Sequence, residues 1–552
     1  MATEASRPAI EAAGALDSSR DRKPLRVVSA PERRRAFARS TTVWAAWTLV
    51  SRVSGFVREV LLARAFGTSP AASALVVAQT VPLFSRSLVA EDAARGALLP
   101  VLSEQVLERR EREAWMLTWI AAAWTTLLML GVAGIVWATA TWCVSVLSSG
   151  ITDAPEFRRE AARILHLLVP MIIVNGVGAA SSAYLVARKR FAIAGAATAL
   201  PNAPLIVGLL LISHPSIDSA ARLVVLGVLL QIALQALAAV TAHRAAPPSA
   251  RPAPVDFAAV RRRMREVAFL ALPVVLSIGI GNFSGLVDIA FSGFVSSGGP
   301  AAIDKALRLM LVPYGVFAVA IGVVGMPTLV EAAVGGSRPS FDEELFRICR
   351  MLFALLLPLA AVLAVFPAPI VSTIYQHGVF DRNSTRLTVT ALAGMAAVLP
   401  AMGLSLIGSR AWLSRKRPWV PAGLSVLGLA LNALLDWVLV GPLGLMGIAL
   451  STAAVHTTVG AVLLLTAFEH SRRRAYDIAR FAGKVVLAVA PGLAIIALAA
   501  HFGARVGAVL PALLCGLAAG FLLFIKLSRV LGVTEYAELA GALRARRHGA
   551  VR

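Results

Sequence analysis

Apolar stretches of roughly 20 residues recur between residue 41 and residue 530, each long enough for an α-helix to cross a hydrocarbon core about 30 Å thick. In lipid the backbone has no water to bond, so only helices and closed barrels can span the bilayer. Runs of this length belong to helices. The chain is 58% hydrophobic and 15% charged, with a mean hydropathy of +0.76; a water-soluble chain carries about a quarter charged residues. The expected fold is therefore an all-α polytopic membrane protein with about 14 transmembrane helices.

The spans are expected near 41–63, 70–91, 115–147, 161–186, 191–212, 219–242, 266–294, 302–333, 346–374, 385–409, 418–440, 442–467, 484–502 and 506–528. Residues 1–40 form a disordered basic tail with no signal-peptide h-region, and a second tail covers 531–552. A Pro/Ala/Arg linker at 244–265 contains Pro247, Pro248, Pro252 and Pro254. It separates an N-lobe of six spans (41–243) from a C-lobe of six (266–467), leaving two further spans in 468–530. A weak internal repeat supports the division. Arg188-Lys189-Arg190 precedes the fifth span and Arg415-Lys416-Arg417 the eleventh, and each span then runs to an asparagine, Asn202 or Asn432. Such repeats commonly build transporters with a site at the lobe interface.

The formal charge of +23 invites comparison with nucleic-acid-binding proteins, yet no nucleic-acid motif accompanies it. Most of the 53 Lys and Arg fall in the tails and even-numbered loops, which the positive-inside rule assigns to the cytoplasm. The expected location is the bacterial inner membrane, multi-pass, with both termini cytoplasmic. Cys143, Cys349 and Cys515 lie far apart in apolar segments and imply neither disulfides nor a metal site. His166, His214, His377, His456 and His501 are scattered, and no nucleophile–base set stands out, so an enzyme is not expected.

Ionisable residues inside the membrane are costly and mark function or a partner. Arg52, Arg58, Arg86 and Arg308 fall within spans. Ser51, Ser54, Gly55 and Arg58 share one helical face, with Arg52 about 120° round from Arg58. An arginine near a helix end also reaches the headgroups along its own stem, a reading that applies most to Arg86. With few acidic neighbours in their spans, the four imply an anionic ligand, and phosphate or pyrophosphate suits the planar guanidinium fork. A second cluster has the opposite sign: Asp288, Asn432 and Asp436 at i, i+4, and Thr452. Their oxygens suit a hard cation, a proton relay, or a polar clasp between helices.

The run from Ser51 to Glu104 reads SRVSGFVREVLLARAFGTSPAASALVVAQTVPLFSRSLVAEDAARGALLPVLSE. It resembles the first two spans of the MurJ (MviN) family of lipid II flippases, in the multidrug/oligosaccharidyl-lipid/polysaccharide exporter superfamily. That family shows S-R-x-x-G-F-x-R-(D/E), then A-R-x-F-G. Arg308-Leu309-Met310 with Pro313 is similar to its D-R-L-M-x-x-P stretch, and Tyr375 to Asp381 to its E/Q-R/H-G-x-F loop. The resemblance implies a flippase, not an enzyme, turning undecaprenyl-pyrophosphate-linked peptidoglycan precursor to the periplasmic leaflet by alternating access. It implies pyrophosphate binding by Arg52, Arg58, Arg86 and Arg308. It also implies a sodium site of Asp288, Asn432, Asp436, Thr452 and the Ile448 carbonyl, with Na+ as coupling ion and no other cofactor. The last two helices become a lipid-tail groove. The expected partners are lipid II and membrane lipids, for a monomer able to associate with the cell-wall synthesis machinery. An exporter of another polyprenyl-linked saccharide or of a drug is the alternative. The chain departs from the family at Ser73, Leu307 and Leu311, where the family has acids; their loss implies a more purely cationic cavity and altered gating.

Overall fold

The computed structural model describes residues 30–87, 92–108, 110–151, 155–245, 283–334, 338–468, 472–506 and 509–537, with a few positions between 258 and 265. Residues 1–29, most of the linker, the start of the seventh expected span and the end of the C-terminal tail lie outside the described residues. Among the described residues every regular element is helical. In the first half these are α1 Ala30–Phe66, α2 Pro70–Ser85, α3 Asp92–Leu107, α4 Glu111–Ala138, α5 Ala140–Leu147, α6 Pro155–Ala187, α7 Phe191–Ala199, α8 Ala203–Leu211 and α9 Ile217–Arg244. The second half follows with α10 Phe283–Ser292, α11 Gly299–Pro313, α12 Val319–Val334, α13 Arg338–Val365, α14 Pro367–Tyr375, α15 Arg382–Ser414, α16 Trp419–Leu443, α17 Leu445–Ala467, α18 Arg472–Val506 and α19 Val509–Val530. Ten helical spans among the described residues are long and apolar enough to cross a bilayer, and α2 and α10 are shorter apolar helices. The chain is a multi-pass membrane protein. Large apolar side chains such as Trp124, Leu127 and Ile135 of α4 are exposed on its surface.

Several expected boundaries move, for local reasons. The helix of the first span begins at Ala30, so residues 30–40 belong to it and not to a disordered tail. Residues 32–53 hold neither glycine nor proline, the strongest helix breakers. The third expected span divides at Thr139 and the ninth at Phe366, ahead of Pro367. In the fifth span Leu200–Asn202 form a 3₁₀ turn, where Pro201 supplies no backbone donor. Beyond Pro313, Tyr314–Ala318 widen to a π-helix. The stretch expected as the loop 92–114 contains α3. The two Arg-Lys-Arg turns adopt one shape: Lys189 and Lys416 have φ of 59° and 58°. Arg190 and Arg417 donate their N–H to Leu185 O and Trp412 O at 2.8 and 3.0 Å.

Two large apolar cores organise the chain. One gathers buried residues such as Leu75, Met129, Leu165 and Leu205 from α2, α4, α6 and α8. The other gathers Met310, Leu352, Leu399 and Leu463 from α11, α13, α15 and α17. At one end of the molecule the halves are joined by loops. Gly67 stops α1 with φ +58°, and the Ser69 hydroxyl accepts from Ala72 N–H to start α2. Gly378, at φ +64°, lies where a Cβ would sit 2.5 Å from Arg64 O. Val379 N–H donates to that same carbonyl at 2.9 Å, and Thr68 N–H and hydroxyl meet Ser384 Oγ at 3.2 and 2.9 Å.

Asp381 caps α15, accepting from Ser384 N–H at 2.7 Å. That backbone bond, with a second from the Ser384 side chain, holds its carboxyl below the ordinary carboxylate range. Asp381→Ala is expected to cost about 1 kcal/mol. Because the folded pKa is depressed, the contribution is complete above the unfolded value of about 4 and is lost as pH falls through the folded value. Thermal melts of wild type and variant should therefore converge in strong acid; a constant gap across that range would contradict the cap.

Candidate functional site

A cavity of about 400 Å³ opens where α2 of the first half faces α10, α11, α15 and α17. Gln79, Thr80, Asp288, Asp304, Arg308 and His456 are among its polar lining. Of the four arginines expected to converge there, Arg308 is on the wall. Its Nε and Nη2 bond Asp304 Oδ1 at 3.2 and 3.1 Å, one helical turn back on α11. Beside it a second cavity of about 20 Å³ touches Glu59, Gln79, Asp304 and Lys305, which is room for about one water.

Glu59 joins the groups around both cavities. It is 4% exposed. Its Oε1 lies 2.6 Å from Arg58 Nη2 and 4.0 Å from Arg308 Nε, and its Oε2 is 2.7 Å from Lys305 Nζ. Three cations thus meet two carboxylates, Glu59 and Asp304, which offset the gain in cationic character expected from the acids lost at Leu307 and Leu311. Leu307 and Leu311 are indeed apolar, but the acid on α11 stands four residues before Arg308, where one turn brings it beneath the guanidinium. Glu59 was visible next to Arg58 in the sequence; its link to Lys305, 246 positions away, was not. Ser73, in the family's acidic position, is fully buried and still spans the halves, its hydroxyl accepting from Ala301 N–H at 3.4 Å.

The remaining arginines are placed differently. Arg58 sits beside Glu59, with Nη1 also 3.1 Å from Asn202 Oδ1. The Ser51/Ser54/Gly55 face is a packing seam: Ser51 donates to Thr198 O at 2.9 Å, and a Cβ on Gly55 would lie 3.6 Å from Asn202 Nδ2. Arg52 lies apart from the cavity lining, its guanidinium covering Gly315 so closely that a Cβ there would collide with Nη1. Arg86 closes the end of α2, its N–H turned back to Leu83 O and Pro82 O; its neighbour Ser87 lines the cavity.

Asp288, Asn432, Asp436, Thr452 and the Ile448 carbonyl lie together. Asn432 Nδ2 donates to Asp288 Oδ1 at 2.8 Å and to Asp436 Oδ2 at 2.9 Å. The Thr452 hydroxyl lies 2.9 Å from Asp288 Oδ2 and 3.1 Å from Ile448 O. Asn432, Asp436 and Ile448 are fully buried, and Asp288 and Thr452 nearly so. Asn432 Oδ1 and Asp436 Oδ1 are buried without a hydrogen-bond partner among the described residues, an expense that buried acceptors rarely bear. Among the described residues no group of three or more His, Cys, Asp or Glu gathers anywhere. Two carboxylates, an amide, a hydroxyl and a carbonyl, with two oxygens unclaimed, fit one hard cation of low charge. Asp288 and Thr452 also line the cavity, so the cluster is reached from it.

The family model described as "Lipid II flippase MurJ" matches residues 62–516. The chain belongs to that family. It is 26% identical over 415 residues to "Lipid II flippase MurJ" of Burkholderia cenocepacia, across 73% of this chain and 78% of the relative. It is 25% identical over 504 residues to "Probable lipid II flippase MurJ" of Thermotoga maritima, across 91% and 98%. A solved structure of "Lipid II flippase MurJ, inward closed conformation" superposes with a TM-score of 0.71 at 21% identity, covering 90% of this chain and all of that one. The MurJ family is one of transporters, and this member shares its fold.

Proposed function

We propose that this MurJ family member flips lipid II from the cytoplasmic to the periplasmic leaflet by alternating access of its two halves. One observation carries the reading: Arg58, Lys305 and Arg308 gather around Glu59 beside a cavity between the halves. A pyrophosphate entering the cavity competes with Glu59 and Asp304 for these cations, and offers bidentate pairing to both arginines. The loop contacts at Gly67–Thr68 and Gly378–Ser384 shut one end, which the positive-inside rule assigns to the periplasm. Exchange of their partners for pyrophosphate oxygens would loosen the ties between the halves, coupling cargo arrival to opening. A strain depleted of its own lipid II flippase is expected to grow when supplied with this protein. Normal levels of membrane-inserted protein without rescue of lipid II translocation in spheroplasts would sink the proposal, and rescue of another polyprenyl-linked glycan's export would redirect it.

Sodium is the proposed coupling ion, which Asp288, Asn432, Asp436, Thr452 and the carbonyl of Ile448 would hold. A cation there supplies charge compensation to two neighbouring carboxylates and ties α10 to α16 and α17. Sodium is expected to raise the melting temperature of the purified protein relative to choline, as any ligand selective for the folded state does. The shift should vanish in Asp436→Asn. An equal shift in wild type and variant would count against this site.

A further inference from the structure

Asn202 takes no part in the transport mechanism above. Like Asn432, it lies on the span behind an Arg-Lys-Arg turn of the same backbone shape, 12 residues past Arg190 where Asn432 is 15 past Arg417. They are used with opposite polarity. Asn432 turns its NH₂ to two carboxylates. Asn202 turns its carbonyl oxygen to the Arg58 guanidinium at 3.1 Å and its NH₂ to α1, reaching Ser54 Oγ at 2.9 Å and Ser51 O at 3.3 Å. Asn202 is 6% exposed. The 3₁₀ turn Leu200–Asn202 holds its backbone, and that turn is packed so tightly that a Cβ on Gly227 would lie 2.3 Å from Pro201 O.

We propose that Asn202 is a positioning residue for Arg58, fixing its guanidinium for an anionic headgroup as Asn432 fixes the carboxylates for a cation. The inference rests on the proposed role of Arg58 in binding pyrophosphate. Arg58 carries about four torsions and loses much entropy when held in one conformation. Glu59 holds Nη2 and Asn202 holds Nη1, so the planar fork is fixed at two points before substrate arrives. Nε, buried and without a partner, remains as a donor. The amide is anchored to α1 itself, so the guanidinium and its support move as one body when α1 tilts. A neutral support suits this place: it orients the cation without adding a second competitor to the pyrophosphate, as a carboxylate would.

The test uses the full-length protein in nanodiscs with undecaprenyl pyrophosphate as probe and undecaprenol as its uncharged control. Asn202→Ala is expected to weaken probe affinity roughly tenfold to a hundredfold, the scale of a hydrogen bond to a charged group, and to leave undecaprenol binding unchanged. The sodium-induced melting shift from the other half should persist, which a merely structural loss would not allow. Asn202→Gln, which keeps a neutral amide acceptor for Arg58, should retain more affinity than the near-isosteric Asn202→Leu. Unchanged affinity in Asn202→Ala while Arg58→Ala loses it would overturn the positioning role alone. No effect of Arg58→Ala, or equal binding of the charged and uncharged probes, would overturn the pyrophosphate reading and this inference with it. If Asn202→Ala does not fold, equal affinity of the Gln and Leu variants overturns the proposal, and a better Gln variant supports it.

Discussion

Arg308→Ala is expected to abolish complementation while the protein stays folded and abundant in the membrane. Arg308 lines the main cavity, about one-third exposed, with its guanidinium held by Asp304. Losing a hydrogen bond to a charged group costs about 1.5–3 kcal/mol, which at about 1.4 kcal/mol per factor of ten is on the order of tenfold to a hundredfold in affinity for each bond lost. The fold should tolerate the change because Asp304 keeps Lys305 within 3.9 Å and Glu59 keeps both Lys305 and Arg58. Arg308→Lys should restore little, since a point charge cannot reproduce the bidentate fork. Growth of the depleted strain, read beside immunoblotted membrane levels, checks both statements. Wild-type growth with Arg308→Ala would remove Arg308 from the substrate site.

Glu59→Gln is expected to destabilise the protein by about 3–5 kcal/mol, the cost of leaving buried charges unpaired. Glu59 is the point at which Arg58, Lys305 and Arg308 meet; without its charge Lys305 and Arg308 share Asp304, and Arg58 keeps only the neutral Asn202. Lys305 itself is 5% exposed. The double variant Glu59→Gln/Lys305→Met should recover much of the loss, because removing both partners of a buried pair is often near neutral. The coupling between the two changes, from a four-member cycle, measures the bond that ties α1 to α11. Additive losses would show that the carboxylate and the ammonium act independently. The same bond crosses between the halves, so the single variant should also make the closed end easier to open, seen as faster labelling of a cysteine placed at Ala72, which is buried beside Gly67 and Glu59.

Local patterns carried much of this protein. Asn432 and Asp436 could be paired in advance because four residues are one turn, and Ser69-Pro70 and Asp381 announce helix starts by their own chemistry. The arginines were recognisable as functional because their cost in lipid is local. Their partners were not. Arg58 finds Asn202 at a separation of 144 residues and Glu59 finds Lys305 at 246, and no periodicity in either helix encodes which neighbour lies beside it. Lys305 carries no local sign of its role, because it stands near the start of its span, where a charge normally reaches water.

The sequence by itself determined the membrane class, the placement of most spans, the charge asymmetry of the loops and the family resemblance. Each follows from requirements met within one segment: enough apolar length to cross lipid, and backbone bonds closed inside the helix. Only the tertiary structure decided that Arg308 lines the cavity, that Arg52 lies against Gly315, and that Glu59 and Asp304 temper the cationic cluster. Those outcomes depend on which helices become neighbours and at what rotation. In lipid that is set by close packing and by the need of each buried charge for a partner, and both are properties of the assembled bundle.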